Sequence, residues 1–67
     1  MARYQIKCLN RRAGLWAVID TYALGEEVDL FEGRPDSWRC ALAEAELRND
    51  AYAETLIAQA RYSLNQE

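Results

Sequence analysis

Chemistry in a 67-residue chain starts from its titratable and nucleophilic groups, and this one offers carboxylates, two thiols and no histidine. The missing imidazole removes the commonest general base and metal ligand at neutral pH, and with it every hydrolytic triad built on that ring. Carboxylate pairs remain at Glu26 and Glu27 and at Glu44 and Glu46. Residues two apart on a helix do not face each other and adjacent turn residues diverge, so these pairs read as surface charge rather than as an acid and a base. Cys8 and Cys40 are far apart in sequence and neither has a metal-ligand neighbour, so the chain alone builds no zinc site. Cys40, close to a helix start and beside Arg39, is the best-placed reactive thiol, yet it runs into Ala41-Leu42-Ala43 and has no activating base. Both cysteines are expected to be free and buried, as in a reducing compartment. Gly14, Gly25 and Gly33 stand singly, which leaves no phosphate-cradling loop. The chain is therefore expected to be no enzyme and to use neither cofactor nor metal.

Binding chemistry is better supplied. The first twelve residues carry Arg3, Lys7, Arg11 and Arg12 and no acid, whereas residues 13 to 37 carry Asp20, Glu26, Glu27, Asp29, Glu32 and Asp36 against Arg34 alone. A basic corner and an acidic band follow, within a net charge of −3. The band at Glu26, Glu27, Asp29 and Glu32 suits a basic protein surface, and the arginines Arg11 and Arg12 suit phosphate. A net acidic domain has a poor electrostatic footprint for nucleic acid, so direct contact with DNA or RNA is not expected. Aromatic residues and arginine are enriched at protein interfaces, and Tyr22 and Tyr62, near element ends, are candidates for such contacts.

Three strands and a helical region must position these groups. Tyr4, Ile6 and Cys8 alternate with Arg3, Gln5 and Lys7, the period-two signature of a half-buried strand over residues 3 to 9. The turn Asn10-Arg11-Arg12-Ala13-Gly14 leads into a central strand, Leu15 to Tyr22, rich in β-branched and aromatic residues. An edge strand resumes at Val28, with Val28 and Leu30 inward and acids outward to discourage further pairing. Near Asp36 and Ser37 the period changes, and apolar residues recur at helical spacing from Trp38 through Ala41, Leu42, Ala45, Tyr52, Leu56, Ile57, Ala60 and Leu64. One unbroken helix over that range would reach about 43 Å against strands of about 23 Å. Two helical segments hinged near Asn49 are therefore preferred, with one long helix covered by a second subunit as the rival. Trp38 is expected to anchor the helix on the sheet near Trp16 and Ile19.

The fold class is thus α+β, a single domain over residues 1 to 67 with a three-stranded antiparallel meander and helices on one face. Apolar runs are too short to cross a bilayer and no apolar leader opens the chain, so a cytoplasmic location without membrane contact is expected. The expected function is a small protein-binding module that docks through its acidic surface on a larger host protein or complex. An inhibitor of a bacterial nucleic-acid machine, of the anti-CRISPR kind and carried by a phage or mobile element, fits the size and charge. Two alternatives stand: a small DNA-binding regulator using the Arg11 and Arg12 hairpin tip, and a self-assembling subunit. A homodimer is expected through the C-terminal helix.

Overall fold

The computed structural model describes residues 2–65, with side chains described through Ser63. Strands β1 (Tyr4–Asn10), β2 (Leu15–Asp20) and β3 (Glu26–Phe31) form one antiparallel sheet in the order β1-β2-β3, followed by a single helix α1 (Ser37–Asn65) on one face. This is the α+β meander with a C-terminal helix that the period-two and helical patterns require. A 3-10 turn, Thr21–Ala23, takes the place of the last two residues assigned by sequence to the central strand. Asp20 caps that turn by accepting from the Tyr22 amide at 3.0 Å.

β2 is the spine of the sheet. Val18 is fully buried against Ala41 and Ala45 of α1, and Tyr4, Ile6, Trp16, Val28 and Phe31 pack around this centre. The two alanines bring the helix backbone close to the strand, so the core is compact but thin, as the surface-to-volume ratio of so short a chain dictates. Two irregularities set which side chains reach it. Between Val18 and Ile19 the pairing with β3 jumps from Asp29 to Glu27, leaving Val28 as an extra residue. A bulge of this kind shifts the alternation by one. Phe31, opposite Trp16, therefore joins the core, and Leu30, expected inward, is 55% exposed on the open face. A second shift, between Cys8 and Asn10, falls at the hairpin end of β1.

α1 crosses the sheet obliquely. Its first turn shares a cleft with Trp16 of β2, and Asn49 reaches the start of β1 at Tyr4. The hairpin end of β1 is thus left uncovered, and Cys8 is exposed rather than buried, with Cys40 intermediate and both thiols free. Trp38 does not anchor the helix as expected but stays 39% exposed. Ile19 neighbours the inward Val18 on β2 and so faces the opposite side of the sheet, out of reach of the helix.

The hinge expected at Asn49 is absent, because α1 continues through it as one element of 29 residues. The tertiary bonds of the Asn49 side chain to β1 offset its weak helix propensity. The helix is about 44 Å long at 1.5 Å per residue, which accounts for a molecule 55 Å in length and 16 to 21 Å across. Among the residues with described side chains Tyr52 is the last half-buried one, and every residue from Ala53 to Ser63 is exposed. None of the described helices is long and apolar enough to cross a membrane.

Candidate functional site

At the hairpin end of the sheet, the β1–β2 turn and the connection from β3 to α1 converge. Asn10 Oδ1 accepts from the Ala13 amide at 3.1 Å, and the Gly14 amide donates to the Arg11 carbonyl at 3.3 Å, closing the turn. Gly14 has φ +61, and a Cβ there would lie 2.9 Å from the Arg34 carbonyl oxygen. Only glycine combines that backbone conformation with so close an approach. Across from it, the buried Ser37 hydroxyl accepts from the Arg34 amide at 3.3 Å and donates to the Arg34 carbonyl at 3.0 Å. The Arg34 backbone is therefore fixed from the helix side and contacted from the hairpin side.

Between them opens a cleft of about 470 Å³, lined by Arg11, Arg12, Trp16, Arg34, Pro35 and Trp38 among others. Arg39 lies over the Trp38 ring with its guanidinium carbon 5.2 Å from the centroid. Among the described residues the ion pairs are Arg3 with Asp20 and Arg48 with Glu44. Arg11, Arg12, Arg34 and Arg39 thus have no carboxylate at salt-bridge distance among the described residues. The cleft brings together the two sequence-predicted arginines with two tryptophans and an arginine that the sequence did not connect to them. Gly14 was a visible signal in the sequence, but as a turn residue rather than as a contact point for Arg34.

The other candidates do not line the cleft. Glu26, Glu27 and Glu32 are exposed along or just beyond the free edge of β3, and Asp29 is half-buried there with its Oδ1 accepting from the Leu30 amide. Tyr62 is 67% exposed on the far half of α1. Tyr22, 63% exposed, sits at the end of the sheet opposite the cleft, in a cluster that sequence reasoning missed. There Arg3 donates through Nε and Nη2 to the two Asp20 oxygens at 3.0 and 2.9 Å. The Arg3 guanidinium carbon lies 5.1, 5.4 and 4.8 Å from the ring centroids of Tyr4, Tyr22 and Tyr52, and Tyr22 meets Tyr52 edge-on. The hydrogen bonds from Arg3, helped by the Tyr22 amide and opposed by desolvation, hold the Asp20 carboxyl below its ordinary range, and the same bonds to Asp20 push the Arg3 pKa up. The tyrosine cage is filled by the protein's own cation, so this cluster is a latch joining β1, the 3-10 turn and α1 rather than an open site.

No group of three or more potential metal ligands occurs among the described residues. Comparison of the chain with protein-family models, curated proteins and solved structures gives no match.

Proposed function

We propose that the protein is a non-catalytic protein-binding module whose contact surface is the arginine and tryptophan cleft, and that its partner presents an acidic segment carrying an apolar side chain. The observation that carries this reading is the convergence of Arg11, Arg12, Arg34, Trp16 and Trp38 on one concave surface, with none of these arginines in an ion pair among the described residues. Arginine and tryptophan dominate the energetics of protein interfaces, where a desolvated pocket filled by one apolar anchor and flanked by charge pairs supplies most of the affinity. The exposed carboxylates Glu26, Glu27 and Glu32 lie along or just beyond the free edge of β3. These carboxylates support a second reading, an inhibitor that meets the basic surface of a host nucleic-acid machine, and beside the cleft they work against nucleic acid. Glu32 stands beside the rim residues Gly33 and Arg34, and a long polyanion would run against it and the rest of the band, whereas a short acidic segment would not. The non-catalytic part of the reading rests on the missing histidine and on Asp20 being engaged by Arg3. A second copy of the chain belongs to the same reading, covering the projecting half of α1 and presenting two clefts per assembly.

Paired charge reversals test which surface binds. With cell lysate as bait source and the captured proteins compared between variants, Arg11→Glu with Arg12→Glu should abolish a partner that Glu26→Lys with Glu27→Lys retains. The opposite pattern returns the contact to the acidic edge.

A further inference from the structure

The projecting half of α1 carries an apolar stripe of its own. Ala53, Leu56, Ile57 and Ala60 fall within an arc of roughly 100° on the helix surface, turned by roughly 70° from the line of Ala41, Ala45 and Asn49 that faces the sheet. Leu56 is 46% and Ile57 52% exposed, with no other described element of the chain over them. A stretch of about three turns gains little in water from propensity alone, since helices in proteins owe most of their stability to burial of an apolar face.

Two features of this stripe say what covers it. Its order is small, large, large, small, spaced three, one and three residues apart, so it reads the same in either direction. Under a two-fold axis residue i meets j as j meets i, so this order sets small against small and large against large across an antiparallel pair. Glu54 and Arg61, both exposed, lie two turns apart on one flank of the stripe, too far apart to pair within the chain. Across an antiparallel seam residues on the same flank face each other, so each Glu54 approaches the partner's Arg61 twice over by symmetry. A parallel seam would leave both without a partner.

We propose that the protein forms an antiparallel homodimer through residues 53–61 of α1. The two-fold axis passes between Leu56 and Ile57, setting Ala53 against the partner's Ala60 and Leu56 against the partner's Ile57. The two sheets then sit at opposite ends of the assembly, and the clefts point away from each other. A partner with two acidic segments would be held by both. A seam this short falls at the low end of interface size, where association is weak and concentration-dependent. The proposal rests on the second copy named above but not on what the cleft binds, since the mass of the assembly and ligand binding at the cleft are measured separately.

Sedimentation equilibrium from low to high micromolar concentration should show mass rising from monomer to dimer. Glu54→Arg and Arg61→Glu should each weaken the dimer several-fold by placing like charges across the seam, and the double variant should recover it. Both positions are exposed, so the variants keep the fold, which circular dichroism checks. A monomer throughout the range, or single reversals without effect, or a double variant no better than the single ones, overturns the antiparallel seam.

Discussion

The side chain of Asn49 pairs with the backbone of Tyr4 as a neighbouring strand would: its Oδ1 accepts from the Tyr4 amide at 2.8 Å and its Nδ2 donates to the Tyr4 carbonyl at 3.0 Å. The edge of β1 is thereby closed by one residue of the helix, and the crossing point of α1 over the sheet is fixed. Asn49→Ala removes both bonds and leaves two half-buried backbone groups without partners. The expected loss is about 1 to 3 kcal/mol, read as a lower urea midpoint with an unchanged slope. A midpoint equal to wild type would show that packing alone positions the helix.

Gly14 governs the other end of the sheet. A Cβ there meets the Arg34 carbonyl at 2.9 Å while the backbone holds φ +61. Gly14→Ala should cost about 1 to 2 kcal/mol from the left-handed conformation alone, with more from the displaced loop. Because the loop carries Arg34 and leads into Trp38 in the first turn of α1, the variant should also show altered tryptophan emission. Unaltered emission and stability together would mean that the hairpin and the loop are not in contact.

Leu24 carries the opposite lesson. It is fully exposed and adopts φ +58, a conformation that asparagine and glycine hold more readily than leucine. Leu24→Asn should raise stability by roughly 0.5 to 1 kcal/mol, visible as a higher melting temperature. A lower one would place Leu24 in a contact that only an assembly provides.

Much of the fold is legible in the sequence, because alternation in residues 4 to 8 and the change of period after Pro35 each follow from local chemistry. What the sequence hides are effects set by distant residues. The bulge at Val28 exchanges Leu30 for Phe31 in the core, and nothing local announces it. Asn49 reads as a hinge from its propensity, and only its bonds to a strand 45 positions away make it a clamp. The basic tip was visible as Arg11 and Arg12. Its completion by Trp16, Arg34 and Trp38 depends on where the helix starts relative to the hairpin. Asp20 was counted within the acidic band, but it belongs to Arg3.

That pair makes stability depend on pH. The Asp20 carboxyl is held below its ordinary value of 3.8, first by the hydrogen bonds from Arg3. A lowered folded-state value means that the contribution is fully present above the ordinary carboxylate range and is lost as pH falls through the lowered one. Urea midpoints followed from neutral pH to below 3.8 should therefore fall more steeply for wild type than for Asp20→Asn, which starts less stable. Parallel curves would show that Asp20 carries none of the acid sensitivity.

The two tryptophans of the chain, Trp16 and Trp38, both line the cleft, so intrinsic emission reports on that surface without a label. The most direct measurement is a titration, at physiological salt, with a synthetic peptide of glutamates interspersed with leucines and, in parallel, with a thymine oligonucleotide of equal charge. A saturable change with the peptide, lost in Arg12→Glu and Arg34→Glu and retained in Glu26→Lys, is the predicted result. A silent peptide alongside a saturating response to the oligonucleotide would contradict the account and make the cleft a nucleic-acid site.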